Sequence, residues 1–66
     1  MITEKLIDNA QNLVQSQYEE VSVTTIQRRF TLGYVAASQV IEVLRQRGVL
    51  VPIEKSPRLK VVRPTN

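Results

Sequence analysis

The spacing of apolar residues changes at Gly48, and that change limits the fold more than any other feature of the chain. Before Gly48 apolar residues recur every three or four positions, as on one face of an α-helix. After it they alternate, as on a pleated strand. With 66 residues there is room for one domain, and its core must be small: a chain of this length buries only about 60% of its unfolded surface.

In the first segment Thr3 stands where an N-cap is expected, and Glu4 meets the positive end of the helix dipole. Leu6, Ala10, Leu13, Val14 and Gln17 form a stripe widened by Ile7, predicting a helix that ends near Gln17 or Tyr18. Val21-Ser22-Val23 alternates and is β-branched at both ends, which reads as a very short strand. Thr24-Thr25-Ile26-Gln27 has the spacing of a capping box, so a second helix is expected to start there with Ile26 and Phe30 inward. Thr31-Leu32-Gly33-Tyr34 breaks that pattern, and Gly33 is the residue able to take a positive φ in a tight turn.

A third helix is predicted from about Tyr34 to Arg47, with Ala37, Val40, Ile41 and Leu44 on its inner face and Gly48 as its stop. Val49–Val51 and Leu59–Arg63 read as strands around the polar turn Glu54-Lys55-Ser56-Pro57. Pro52 implies an edge position or a bulge, because it has no N–H to give a ladder. Together these elements describe a small α+β winged helix-turn-helix: three helices, a short strand and a C-terminal β-hairpin wing, as a single domain over residues 1–66.

Composition narrows the chemistry. The chain has no His and no Cys, which excludes zinc fingers, thiol nucleophiles, Ser–His pairs and ordinary transition-metal sites. Asp8, Glu19, Glu20, Glu42 and Glu54 are scattered without acid–base partners, so no enzyme, metal or cofactor is expected. Tyr18, Phe30 and Tyr34 are too dispersed for a single-strand stacking platform. No apolar run approaches the roughly 18 residues of a membrane span, and no cleavable signal is visible. A cytoplasmic, nucleoid-associated location is expected; the absence of Cys fits it.

Charge is unevenly placed. Residues 1–20 hold one basic and four acidic side chains, a net of −3, whereas residues 21–66 hold eight basic and two acidic, a net of +6. Such polarity suits a molecule that turns one face to a polyanion. In a helix-turn-helix the third helix would enter the major groove of double-stranded DNA, leading with its N-terminal residues. Its outer face carries Val35, Gln39, Glu42 and Gln46, flanked by Ser38 and Val43. Gln39 suits adenine, Val35 a thymine methyl and Glu42 a cytosine amine, so Val35, Ser38, Gln39 and Glu42 are the candidate base readers. Lys55, Arg58, Lys60 and Arg63 of the wing are candidates for phosphates or the minor groove. Arg28 and Arg29 are candidates for flanking phosphates, with pairing to Glu19 or Glu20 as the alternative.

Ser22-Val23-Thr24-Thr25-Ile26-Gln27-Arg28-Arg29-Phe30, followed by Leu32-Gly33-Tyr34, resembles the gamma domain of FtsK/SpoIIIE-type DNA translocases. The similarity runs on through Ala37, Val40-Ile41-Glu42 and Arg47-Gly48-Val49-Leu50 to Pro52, and faintly into Arg58 and Val61-Val62. It implies a winged helix that binds double-stranded DNA and reads short oriented sequences to direct a motor, and that also contacts a tyrosine recombinase. The family commonly carries Asn-Arg directly after Gly-Tyr and a second Arg three residues later; this chain has Val35, Ala36 and Gln39 there. Glu42 matches the family acid, and Arg28 and Arg29 match its basic pair. Of the recognition helix, the scaffold and Glu42 therefore carry over and the guanine-rich specificity does not, since arginine favours guanine.

The chain opens with Met1 and carries neither motor nor membrane segment. With its altered recognition helix, this favours a small stand-alone transcriptional or DNA-maintenance regulator over an excised translocase domain. Useful affinity then calls for a homodimer or several copies on adjacent sites. The rival expectation is a protein-docking module, because Val35, Ala36 and Val43 make the outer side of the third helix apolar for a DNA reader.

Overall fold

The computed structural model describes residues 2–64 and contains three helices and a three-stranded antiparallel sheet. Helix α1 spans Glu4–Gln17, and its start follows from Thr3, whose hydroxyl accepts from the Leu6 amide at 3.1 Å. It buries Ile7, Ala10 and Val14. Leu6 and Leu13 are half-buried, and Gln17, expected on the inner stripe, is exposed. The buried stripe is therefore centred on Ile7 rather than on Leu6.

The next boundary differs from the expectation. Strand β1 is Glu20–Val21 alone, and helix α2 spans Val23–Phe30. Ser22, not Thr24, is the N-cap, and the capping box is made by two hydroxyls. Ser22 Oγ accepts from the Thr25 amide at 3.4 Å, and Thr25 Oγ1 accepts from the Ser22 amide at 3.2 Å. With Ser22 committed to the cap, Val23 opens the helix instead of closing the strand.

The turn after α2 also reassigns a residue. Thr31 takes the left-handed conformation (φ 54°, ψ 52°), and the amides of Thr31 and Leu32 both donate to Gln27 O. Gly33 has an ordinary φ of −71° and caps helix α3 (Tyr34–Gln46) with no side-chain bond. The strain expected to fall on a glycine thus falls on a β-branched residue, at about 1–2 kcal/mol. Gly48 does stop α3 with a φ of 78°, and Val49 donates back to Leu44 O at 2.9 Å.

Strands β2 (Leu50–Pro52) and β3 (Leu59–Val61) form the hairpin; β2 is shifted by one residue from the expected Val49–Val51, and β3 is shorter than the expected Leu59–Arg63. The sheet order is β1-β3-β2, with β3 in the centre. Leu50, Val51 and Pro52 oppose Val61, Lys60 and Leu59, and Glu20 and Val21 oppose Lys60 and Leu59. Pro52 therefore sits on an edge strand, where a missing N–H need break no ladder. At the tip, Lys55 is the second non-glycine residue with positive φ (62°).

One core joins all six elements: Ile7, Ala10 and Val14 from α1, Val21, Ile26, the four predicted α3 residues, and Val49, Leu50, Leu59 and Val61 from the hairpin side. Among the described residues no polar or charged side chain is buried. The architecture is an α+β winged helix.

Candidate nucleic-acid interface

α2, the Thr31–Gly33 turn and α3 form the helix-turn-helix. Because Ala37, Val40, Ile41 and Leu44 all point into the core, the opposite face of α3 is presented outward by the 3.6-residue period. Val35 is 69% exposed, and Gln39, Glu42 and Gln46 are exposed with it. Ser38 sits differently: it is half-buried, and its hydroxyl is shielded from solvent with no hydrogen-bond partner. Val43 packs partly against the core, so the apolar part of the outer surface narrows to its N-terminal end. There Tyr34, 65% exposed, joins Val35.

Glu42 is not free. Its Oε1 accepts from Arg45 Nη1 at 3.1 Å, one turn further along α3. Glu42, Arg45 and Gln46 face Gly48, Leu50, Val51 and Pro52 across an open groove of about 320 Å³ between the end of α3 and the hairpin. The sequence pattern alone does not single out Tyr34 or Arg45. The signal for Arg45 was present as the i, i+3 spacing from Glu42. Tyr34 lies one position before the outer stripe, where helical phase alone does not separate inside from outside.

The basic residues divide into two sets. Arg58 Nε donates to Glu20 at 3.1 Å, and Arg47 Nη1 to Asp8 at 2.8 Å and to Gln11 at 2.9 Å. Arg63 makes three bonds at the C-terminal end of α1: Nε to Gln15 O at 2.8 Å, Nη2 to Tyr18 O at 2.6 Å and Nη1 to Glu19 at 3.0 Å. Gln15 Nε2 returns a bond to Val62 O at 2.8 Å. Three ion pairs thus tie acids of the first 20 residues to arginines of the C-terminal half. Much of the charge split seen in the sequence is matched inside the molecule.

The second set has no ionic partner among the described residues: Lys5, Arg28, Arg29, Lys55 and Lys60. Arg28 and Arg29 close the last turn of α2, where the helix dipole favours cations, and both are exposed. Glu19 and Glu20, their expected alternatives, go instead to Arg63 and Arg58. Lys60 stands on the outer face of β3 between Glu20 and Val51, and Lys55 at the hairpin tip. Apart from Lys5 on α1, free positive charge therefore lies before α3, in α2, and after it, on the hairpin, while the outer face of α3 carries only the Glu42–Arg45 pair.

The family profile of the FtsK gamma domain matches residues 2–63, essentially the whole described chain. The chain belongs to the FtsK gamma domain family. It is 36% identical over 61 residues to the DNA translocase SpoIIIE of Bacillus subtilis, covering 92% of this chain and 8% of that protein. It is 33% identical over 63 residues to the DNA translocase FtsK of Oceanobacillus iheyensis, covering 96% of this chain and 8% of that protein. With the DNA translocase FtsK of Lactiplantibacillus plantarum it shares 41% over 54 residues, 82% of this chain and 7% of the relative. This gamma domain thus spans less than a tenth of the length of the curated relatives it matches. Among the described residues no helix is long and apolar enough to cross a membrane, and no His, Cys, Asp and Glu cluster could hold a metal ion.

Proposed function

We propose that this gamma domain binds double-stranded DNA without catalysing a reaction on it, inserting the N-terminal half of α3 into the major groove. The observation that carries the reading is the set of unpaired cations on the two elements that flank α3 in the chain, α2 and the hairpin, while the outer face of α3 is itself nearly uncharged. Arg28 and Arg29 on one side, and Lys55 and Lys60 on the other, hold the two phosphate strands that border a groove. Val35 and Gln39 read thymine and adenine edges. Glu42 offers its second oxygen to a cytosine amine while Arg45 holds the first. Ser38, with its hydroxyl turned away, supports packing, and Arg58 and Arg63 brace the wing against α1 and β1.

The domain acts by occupancy, as a small regulator of transcription or DNA maintenance in the cytoplasm, or as the DNA-orienting part of a translocase such as its relatives. A single module of this kind covers only about 600–1,000 Å² of protein surface on DNA, so two copies or adjacent sites supply useful affinity. Selection of bound duplexes from a random pool, followed by gel shifts and sizing of the complex, tests the reading. A shared A·T-rich motif supports it; equal retardation of all duplexes removes sequence reading, and no retardation removes DNA binding.

Exposed Tyr34 and Val35 favour one second reading, in which the start of α3 docks a protein such as a tyrosine recombinase. Salt separates the two: DNA affinity falls steeply with ionic strength, and an apolar protein contact hardly responds.

A further inference from the structure

Among the described residues only Thr31 and Lys55 combine a side chain with positive φ, at 54° and 62°. Left-handed backbone is ordinary for Gly, and for Asn or Asp when the short polar side chain bonds back to its own turn. Neither explanation applies here. Thr31 is β-branched, the worst class for this conformation, and Lys55 has no local acceptor. Both residues are exposed, and neither side chain makes a hydrogen bond or ion pair within the described chain. The amides of Thr31 and Leu32 are satisfied by Gln27 O through the backbone alone, so a glycine at position 31 would serve that turn better. The strain has no return inside the molecule.

Both residues lie at the margins of the DNA-binding face. Thr31 follows the unpaired Arg28 and Arg29 and precedes Tyr34, the first residue of α3. When α3 leads into a major groove with its N-terminus, the turn before it meets the sugar–phosphate backbone at the groove edge. Lys55 holds the equivalent place at the tip of the hairpin. Side chains kept at a structural cost where chain and ligand meet point to work done in the bound state.

We propose that Thr31 is a phosphate-contacting residue, its hydroxyl donating to a DNA phosphate oxygen beside Arg28 and Arg29, and that the positive φ of Lys55 serves the phosphate contact already assigned to that residue. The proposal rests on the DNA-binding reading and adds a residue and a reason to it. Thr31 sets register and carries no base information, because a phosphate is the same at every step.

The test sets fold stability against DNA binding. Thr31→Gly, Thr31→Ser and Lys55→Gly are compared with wild type by thermal unfolding and by gel shift on one duplex that wild type retards. Thr31→Gly is expected to raise Tm by about 4 °C while weakening binding several-fold on every sequence, with an unchanged salt slope because a hydroxyl releases no counterion. Thr31→Ser, which keeps the hydroxyl and loses the branch, is expected to bind as wild type does. Lys55→Gly should raise Tm and reduce the salt slope by about 1. A Thr31→Gly variant that binds as tightly as wild type overturns the proposal, as does one with a lower Tm, which would show an internal role for the side chain. Equal loss in Thr31→Ser and Thr31→Gly overturns it as well. A wild-type chain that retards no duplex fails the DNA-binding reading itself and takes this proposal with it.

Discussion

At the residue scale, arginines and lysines of one small domain divide by what they touch. Arg63 donates to two backbone carbonyls and a carboxylate at the end of α1, so removing it uncovers acceptors that must find water. Arg63→Ala is expected to cost about 1 kcal/mol, lowering Tm by about 4–8 °C, and to leave the salt slope of DNA binding unchanged. Lys60 has no such partners. Lys60→Ala is expected to leave Tm within a degree or two and to weaken all duplexes alike, with a slope smaller by about 1. Gln39→Ala belongs to a third class: it should flatten preference at one base pair by about 1–3 kcal/mol while other positions keep theirs. Thermal unfolding together with gel shifts at several salt concentrations separates the three. Sequence placed Arg63 and Lys60 in one group because both sit in a basic tail. The difference between them lies in contacts across 44–48 positions of chain, which local spacing does not encode.

At the element scale, every element was legible in the sequence, but the boundaries of the short ones were not. All four inward residues of α3 follow from their 3.6-residue spacing, and Gly48 marks its end. Between β1 and α2 two patterns compete over the same residues. Val21-Ser22-Val23 alternates like a strand, and Thr24 with Gln27 mimics a capping box, yet the box that forms pairs Ser22 with Thr25. Two hydroxyls at i, i+3 satisfy the same amides as a Thr–Gln pair would, and nothing in the spacing ranks one above the other. The element-scale test is therefore the cap. Ser22→Ala is expected to destabilise by about 1 kcal/mol, and Thr24→Ala by much less, measured by urea unfolding. For the candidate site, the outer face of α3 was readable from the inner one, but the Glu42–Arg45 pair and the inward hydroxyl of Ser38 needed rotamers, which spacing does not give.

For the whole molecule, stability on the order of 3–10 kcal/mol is expected for 66 residues. The core is a single cluster with contributions from all six elements. Truncating its centre, Leu44→Ala, is expected to cost about 2–5 kcal/mol, a large share of that total, and to abolish the helical signal in far-UV circular dichroism well below the wild-type Tm. Charge at this scale gives a count that salt can read. If the four unpaired cations of α2 and the hairpin make the phosphate contacts, log affinity should fall against log salt with a slope of about −3.6. Enlisting Arg45, Arg58 and Arg63 as well would steepen it to about −6, and such a value would mean that DNA pulls these arginines from their internal partners.

The central position of β3 has a mechanical consequence. Among the described residues it is the last strand and the only one that both β1 and β2 pair with. Tension applied beyond Val62 would load the Arg63 contacts on α1 first. Once those yield, drawing out β3 strips both neighbours of their ladder in the same event. Under load the domain is built to hold and then give way in one step, like a bolt drawn from a hinge, rather than to fray strand by strand.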